Sequence, residues 1–211
     1  MKQSQKPYFL RYAPAVLLIT VLVCLLSYFI LDIPLALYFE QISPALRSTS
    51  RAISKLFSVE DQYLLWPIAY FVMRCIVKRE GAANRCLLIA VSLPLTMILV
   101  ELIKCLFGRA RPELFFASHQ FGLTFFSTAD IFQSLPSGHA STIGVLCGAF
   151  ACFYPKAKWP LLIAALLLAF VRVTLAQHYL SDVIAGVIIG FLMSQWIYSI
   201  MKRNKIIFSR R

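Results

Sequence analysis

Six apolar runs separated by short polar segments limit how this chain can fold. They cover residues 13–38, 62–77, 86–106, 138–154, 159–176 and 180–201. Most of them exceed the roughly 17 residues that a helix needs to cross about 30 Å of hydrocarbon. The second and fourth runs are short, and the second carries Arg74, which can snorkel from a helix end. We therefore predict an all-α bundle of six transmembrane helices, forming a single integral membrane domain over residues 1–211.

The composition supports a membrane protein and argues against a nucleic-acid-binding one. Hydrophobic residues make up 60% of the 211 positions and charged residues 14%, against roughly 45–50% and 25% in a soluble domain. The formal net charge is +12, but the basic residues form short clusters between the apolar runs instead of one patch with interleaved aromatics. That distribution is the one that the positive-inside rule describes.

The basic residues also predict an orientation. The first apolar run is too long for a cleavable signal peptide and is expected to remain as a helix. With six helices both termini then lie on one side, together with most of the bases: Lys2, Lys6, Arg11, Arg74, Lys78, Arg79, Arg85, Lys156, Lys158, Lys202, Arg203, Lys205, Arg210 and Arg211. The other side holds Arg47, Arg51, Lys55 and Arg109, besides three bases assigned to the active site below. We therefore expect cytoplasmic termini.

The cysteines predict neither a disulfide framework nor a metal centre. None of the six belongs to a CxxC pair or a Cys-rich loop, and all lie in or at the ends of the predicted helices. We interpret them as small apolar packing residues.

Two segments on the outer side are candidates for contact with lipid. Residues 41–58 place Arg47, Arg51 and Lys55 four residues apart, which predicts a basic amphipathic helix lying either in the membrane interface or in solvent. Residues 113–135 contain six phenylalanines in a stretch that is too polar to span. This second segment is expected to rest against headgroups or to fold over a site.

Three polar clusters stand at the ends of the predicted helices. The first, "KCLFGRARP" (104–112), follows the third helix, and the second, "PSGH" (136–139), begins the fourth. The third, "RVTLAQHYLSD" (172–182), joins the fifth helix to the sixth. Because helices three and five leave the membrane on the side where helices four and six enter it, all three clusters lie on one face.

The first group of polar residues suits a phosphate. Lys104, Arg111 and Arg172 would bind an anion with several oxygens, since the forked donors of arginine match phosphate geometry. Gly138 allows close approach of the backbone, and Ser137 adds a hydroxyl near a helix N-terminus.

The second group suits proton and phosphoryl transfer. His178 and Asp182 are four residues apart, so on a helix they share a face. A carboxylate in that place can hold the Nδ1 proton and leave Nε2 free to attack. His139 is then available as the general acid for the leaving oxygen. The pattern predicts a phosphoryl-transfer site.

These motifs, in this order, resemble the three signatures of the type-two phosphatidic-acid phosphatase and vanadium-haloperoxidase superfamily. The resemblance spans about 104–182 and, with six helices, extends to the whole chain. The six spans exclude the soluble haloperoxidase branch and indicate the membrane lipid phosphatase branch. It implies that Lys104, Arg111, Ser137, Gly138 and Arg172 bind the phosphoryl group. It implies that His178 is the nucleophile, His139 the acid and Asp182 the partner of His178. One departure is Val171, where the family usually has serine.

Several alternatives stay open. Taken singly, each cluster has an ordinary structural interpretation: a satisfied histidine, a snorkelling arginine or a plain helix start. His119 belongs to no cluster and is interpreted as an ordinary polar residue. Glu101 is either the ion-pair partner of Lys104 or simply buried, and Asp32 is expected to cap or pair near the outer end of the first helix. A transporter would also carry such residues, but near the membrane midplane and often in repeated halves.

The expected function is hydrolysis of a lipid phosphate at the periplasmic face of a bacterial inner membrane. The charge count, the short chain and the lack of a eukaryotic-style extension suggest that membrane. Lipid A phosphate and undecaprenyl diphosphate are favoured over phosphatidylglycerophosphate and phosphatidic acid, by resemblance to compact bacterial members. A lipid-to-lipid phosphotransferase would use the same residues. No cofactor, metal or obligatory protein partner is predicted.

Overall fold

The computed structural model describes residues 12–207, which fold into α-helices joined by short turns. In chain order the α-helices are α1 Ala13–Ile30, α2 Asp32–Glu40, α3 Pro44–Leu56, α4 Val59–Phe71, α5 Glu80–Phe107, α6 Pro112–Ser118, α7 Gly138–Phe153, α8 Lys158–Ala169, α9 Val171–Thr174 and α10 Leu180–Arg203. A π-helical turn, Val72–Ile76, extends α4, and short 3-10 turns occupy Asp130–Phe132 and Pro155–Ala157. The all-α prediction is confirmed.

The helices follow the six apolar runs, with breaks that the apolar pattern does not predict. The first run divides at Leu31 into α1 and α2, and the fifth divides at Phe170 into α8 and α9. The second run begins earlier than predicted because Ser58 caps α4: its hydroxyl accepts a hydrogen bond from the Asp61 backbone N–H. Both breaks lie next to residues of the site described below.

Four helical segments are long and apolar enough to cross a membrane by length and composition. They are Ala13–Ile30, Glu80–Phe107, Pro155–Thr174 and Leu180–Arg203, and α7 is a shorter apolar helix of 16 residues. Leucine, isoleucine and phenylalanine side chains are exposed along these segments, for example Phe29 at 78% and Leu167 at 70%. Since such surfaces need an apolar solvent, the chain is a membrane-embedded protein.

Glycines bring α7 and α10 into close contact. On α7, a Cβ atom at Gly144 or Gly148 would overlap the backbone of α10 at Val187 or Phe191. On α10, a Cβ at Gly190 would overlap the Ser141 carbonyl of α7. The pair Gly144/Gly148 and the pair Gly186/Gly190 both have the spacing of small residues that lets membrane helices approach closely. This contact holds the second and third polar clusters side by side.

The two outer segments adopt different structures. Residues 41–58 contain the predicted amphipathic helix, α3, capped by Ser43 and packed through its buried Ser50 and Ser54. Residues 113–135 contain α6 and then fold back along the first cluster. In that return, Ala110 N–H donates to Gly122 O at 3.0 Å and Arg111 N–H donates to Ile131 O at 2.9 Å.

The remaining sequence predictions have mixed outcomes. Five of the bases used for the orientation, Lys2, Lys6, Arg11, Arg210 and Arg211, lie outside the described residues. All six cysteines are free thiols. Cys86 and Cys152 are buried as the packing interpretation requires, but Cys75 is exposed within the π-helical turn, so that interpretation is wrong for Cys75.

Candidate active site

The end of α5 carries the first cluster. Helix α5 stops at Gly108, which adopts a left-handed conformation (φ 53°) and donates its N–H to Lys104 O. The Lys104 side chain is largely buried, and its ammonium forms a 2.7 Å ion pair with Glu101. The predicted pairing of Glu101 with Lys104 is therefore present, and Glu101 itself is half exposed, so simple burial does not explain it. Arg111 follows at the start of α6 and donates from Nε to Asp130 O at 2.8 Å.

The start of α7 carries the second cluster. Ser137 is fully buried at the N-cap position of the helix, and its N–H donates to Asp182 O at 3.1 Å. Its hydroxyl has no hydrogen-bond partner among residues 12–207. Gly138 faces Lys104: a Cβ added to this glycine would lie 3.9 Å from the Lys104 Nζ. His139 is half-buried on the first turn of the helix. An unpaired hydroxyl, a helix N-terminus and an ammonium group thus meet in one place, which is a suitable environment for an anion.

The short helix α9 holds Arg172 against the amphipathic helix α3. The Nη1 group of Arg172 donates to Ser54 Oγ at 2.9 Å, and Thr174 Oγ1 donates to Ser50 Oγ at 3.0 Å. The Nε of Arg172 is buried and has no partner in the described part of the chain. Helix α3 therefore positions a predicted phosphate-binding side chain, a role that the amphipathic pattern did not indicate. Val171 occupies the first position of α9 and supplies no hydroxyl there.

His178 is buried in the turn between α9 and α10. Its Nδ1 lies 2.9 Å from the backbone carbonyl of Ser134. A carbonyl can only accept, so this contact places the imidazole proton on Nδ1 and leaves Nε2 with a free lone pair. Burial lowers the pKa of His178 to about 4, and the charges of Arg172 and Arg111 act in the same direction while Asp182 opposes them. The imidazole is therefore neutral at pH 7.

Asp182 lies within ion-pair distance of His178, but the nearer acceptor for the Nδ1 proton is the Ser134 carbonyl. The distance from His178 Nδ1 to Asp182 Oδ2 is 3.8 Å. The carboxylate oxygens are already occupied: Oδ2 accepts from Ser134 Oγ at 2.6 Å and from the Tyr179 N–H at 2.9 Å, and Oδ1 accepts from Arg109. Asp182 therefore fixes the backbone around His178 and supplies nearby negative charge.

Arg109 is a component of the site that the sequence analysis missed. The charge count treats it as an ordinary outer base, yet it is only 1% exposed. Its guanidinium forms ion pairs with Asp182 and, at 2.7 Å, with Asp32. Burial alone would lower the pKa of Arg109, but the two carboxylates outweigh that effect and raise it. Arg109 lies between Lys104 and Arg111 in the sequence, and this position could have indicated that it belongs to the site.

Asp32 connects the first helix pair, α1 and α2, to the turn that carries His178. It begins α2, is buried, and accepts hydrogen bonds from Ser27 Oγ at 2.8 Å and Ser181 N–H at 3.1 Å. The expectation that Asp32 pairs near the outer end of the first helix is confirmed, with Arg109 as its partner. This network explains why the first apolar run breaks at Leu31, since Asp32 must turn inward to reach the arginine.

Part of the Phe-rich segment covers this network. The Phe121 ring stacks on Tyr28 at 4.6 Å, meets Tyr179 edge-on at 5.2 Å and lies 5.5 Å from the Arg109 guanidinium. Farther along, Phe126 is 77% exposed. The segment therefore folds over the site at one end and presents an aromatic side chain outward at the other. His119 ends α6, is exposed and packs edge-on against Phe115, as its ordinary interpretation predicts.

The three clusters are thus brought together as predicted. Asp182 connects the third cluster to the second through the Ser137 N–H and to the first through Arg109. His139 lies close enough to Arg172, His178 and Lys104 to be affected by their charges. Arg172 is affected in the same way by Arg111. In residues 12–207 no group of three or more His, Cys, Asp or Glu side chains is arranged to hold a metal ion. The arrangement is a cationic cradle beside a neutral histidine, which can accept a phosphoryl group.

Comparison with known proteins identifies the family. The model of the PAP2 superfamily matches residues 85–206, which include all three clusters, and the chain belongs to this superfamily. A segment of 93 residues, 44% of the chain, is 41% identical to a lipid A 1-phosphatase of Rhizobium etli and covers 40% of that protein. A lipid A 1-phosphatase of Rhizobium johnstonii is 40% identical over 93 residues, or 38% of its length. The match thus spans about two-fifths of the length of these curated relatives.

A solved structure with a similar outline is the transmembrane PAP2-type phosphatidylglycerolphosphate phosphatase from Bacillus subtilis. The similarity covers 97% of this chain and 99% of that one, with 20% sequence identity and a TM-score of 0.47.

Proposed function

We propose that this chain is a membrane-embedded lipid phosphatase that works through a phosphohistidine. The observation that carries the proposal is the geometry of His178, whose Nδ1 proton is directed to Ser134 O, so that Nε2 is the nucleophilic nitrogen. The neighbouring cations Lys104, Arg111 and Arg172 supply charge for the phosphate oxygens. Membership of the PAP2 superfamily supports the same assignment.

The proposed reaction has two steps that share one set of residues. In the first, His178 Nε2 forms a bond to phosphorus while the P–O bond to the lipid breaks, and the leaving oxygen takes a proton from His139. In the second, water bonds to phosphorus, gives its proton to His139, and the P–N bond breaks. The buried Ser137 hydroxyl and the Gly138 backbone contact the phosphoryl oxygens in both steps. Asp182 and Arg109 hold the turn that carries the nucleophile.

A phosphorylated lipid is the proposed substrate class, with a lipid A phosphate favoured. Two relatives that are about 40% identical to this chain over 93 residues are named lipid A 1-phosphatases. Undecaprenyl diphosphate, phosphatidylglycerophosphate and phosphatidic acid remain the other candidates. A phosphotransferase would use the same phosphohistidine with a lipid acceptor in place of water. A transporter is disfavoured because the polar groups lie at one end of the helices, at the C-terminus of α5 and the N-termini of α7 and α10.

The proposed location is the bacterial inner membrane, with cytoplasmic termini and a periplasmic site. The support for this orientation is the uneven distribution of lysine and arginine between the two sides. Reaction of introduced cysteines with an impermeant maleimide in whole cells tests it. A cysteine at exposed Ser118 should be labelled from outside, whereas one at exposed Lys156 should react only after lysis.

The activity is tested by measuring phosphate release from lipid A, undecaprenyl diphosphate, phosphatidylglycerophosphate and phosphatidic acid, and from a water-soluble phosphate ester. Rapid acid-free quenching with labelled substrate should trap phosphate on His178. Turnover of a lipid phosphate without added acceptor supports a hydrolase over a phosphotransferase. Efficient cleavage of the soluble ester with none of the lipids cleaved would overturn the lipid assignment.

A further inference from the structure

A cavity of about 410 Å³ lies beside the catalytic turn and is not used by the mechanism above. Its walls come from four segments. The end of α2 contributes Glu40, and each of the other three adjoins a proposed phosphate-binding residue or the nucleophile. Helix α6 begins directly after Arg111, the turn 175–177 leads directly into His178, and α3 holds Arg172 through Ser54. A group bound in the cavity would therefore lie next to a phosphate held in the site.

The cavity lining mixes both signs of charge. Arg47 and Arg51 of α3 face it together with the carboxylates of Glu40 and Glu113. A second phosphate would be attracted by the arginines but repelled by the glutamates. A cationic headgroup would be attracted by the glutamates but repelled by the arginines. A neutral group that can both donate and accept hydrogen bonds satisfies all four side chains.

Two further side chains limit the kind of group that the cavity can bind. Gln177 is exposed on the turn before His178 and offers both a donor and an acceptor, and Phe116 of α6 adds an aromatic face. Hydroxyl groups can donate to Glu113 and accept from Arg51, while the C–H face of a sugar ring packs on an aromatic ring. The volume falls in the range of about 300–1,000 Å³ that is typical of small-molecule sites.

We propose that this cavity binds the saccharide headgroup of a phosphorylated glycolipid. The inference rests on the proposed function and narrows its substrate class: the phosphate lies on Lys104, Arg111 and Arg172, and the sugar that carries it occupies the neighbouring cavity. A glycerol or polyprenyl phosphate has no ring to place there. The cavity is thus a specificity site, and its contacts distinguish glycolipid phosphates from other lipid phosphates.

The test compares two substrates with matched acyl chains, a lipid-linked glucosamine 1-phosphate and phosphatidic acid. The variants are Arg51→Gln and Glu113→Gln, both outside the catalytic machinery. The matched control is Lys55→Gln, which makes the same charge change one turn farther along α3, away from the cavity lining. For the glycolipid, kcat/KM should fall about 10-fold or more in each cavity variant, since the sugar loses a hydrogen bond to a charged side chain. For phosphatidic acid, and for Lys55→Gln with both lipids, it should stay within about 2-fold.

A second measurement separates binding from catalysis. A phosphate-free glycolipid should compete with the glycolipid substrate in the wild-type protein, and its inhibition constant should rise about 10-fold in Arg51→Gln. Equal losses for both lipids, or unchanged glycolipid turnover in both cavity variants, would overturn the saccharide assignment while leaving the phosphatase proposal standing. Failure of the wild-type protein to release phosphate from either lipid would overturn the proposed function itself.

Discussion

Arg109 and Asp32 form a fully buried ion pair, with Nη2 of the arginine 2.7 Å from Oδ2 of the aspartate. They are 77 residues apart in the chain. The same guanidinium pairs with Asp182, so a single side chain connects the first helix pair to the turn that holds His178, the proposed nucleophile. Buried charges are tolerated only when such partners are in place. This network therefore orders the site at the level of tertiary structure.

Removal of one partner from this network should be strongly destabilising. Arg109→Met leaves two buried carboxylates without a cation, at a cost of about 3–5 kcal/mol. Thermal unfolding in detergent should show a large fall in Tm, together with loss of activity. The double variant Asp32→Asn/Arg109→Met should recover part of the loss because one buried charge is removed.

The exposed ion pair Arg74–Glu80 provides the control for this experiment. Its side chains are about half exposed, so Arg74→Gln should change stability by less than about 1 kcal/mol. If Arg109→Met were as stable as Arg74→Gln, the buried network would have no structural role.

Glycine-mediated packing between α7 and α10 should be equally sensitive. In Gly190→Ala the new methyl group overlaps the Ser141 carbonyl, and overpacking of this kind costs about 1–3 kcal/mol. We expect a lower Tm and reduced kcat, because Ser137 and His139 lie at the start of α7. Gly81→Ala is the matched control: a Cβ there meets nothing within 4 Å, so this variant should be neutral or up to about 1 kcal/mol more stable. Similar Tm values for both variants would contradict the close contact.

Protonation of His178 should limit activity only in strongly acidic solution. Its pKa is lowered to about 4, so the nucleophilic neutral form is fully present above that value and is lost as the pH falls through it. The rate of phosphohistidine formation, measured by rapid quench, should therefore keep its His178-dependent value from pH 7 down to about pH 5. The ionisation of the substrate phosphate is titrated separately as a control. If the rate showed an acid limb with a midpoint near 6.5 that the substrate does not cause, the His178 imidazole would not be desolvated as described.

Replacement of His178 and replacement of His139 should have different effects on turnover. His178→Ala should abolish turnover, because the covalent intermediate cannot form. His139→Ala should slow formation of that intermediate by about 10²–10⁴-fold, most severely for poor leaving groups. Mass spectrometry of quenched protein locates the phosphate. Its appearance on His139 in the wild type would reverse the two roles.

Chelators should leave the activity unchanged, and vanadate should inhibit it. The proposed site neutralises the phosphate with Lys104, Arg111 and Arg172. The oxygens of Asp182 already accept three hydrogen bonds or ion pairs, and Glu101 is paired with Lys104. Vanadate can take the five-coordinate geometry of the phosphorus and so compete for the same cradle. Loss of phosphate release in EDTA, restored by magnesium, would argue for a different mechanism.

The apolar pattern alone predicted the six helical runs, though not their breaks at Leu31 and Phe170, and the spacing of polar residues predicted the three clusters. Apolar runs of membrane-spanning length can only be satisfied as helices, because backbone groups have no water to bond in hydrocarbon. The alternation of helix direction then required Lys104, His139 and His178 to share one face. Local spacing was sufficient for these conclusions since each depends on neighbours in the chain or on helix count.

The interactions that stabilise the site could be identified only from the tertiary structure. Arg109 looked like an ordinary outer base because its partners, Asp32 and Asp182, are distant in the chain. The 3.8 Å separation of His178 Nδ1 from Asp182 had the same origin: the carboxylate was already bonded to Arg109, Ser134 and the Tyr179 backbone. A hydrogen-bonding group accepts a limited number of partners. Which partners lie next to it depends on packing between distant segments, and sequence spacing does not encode that packing.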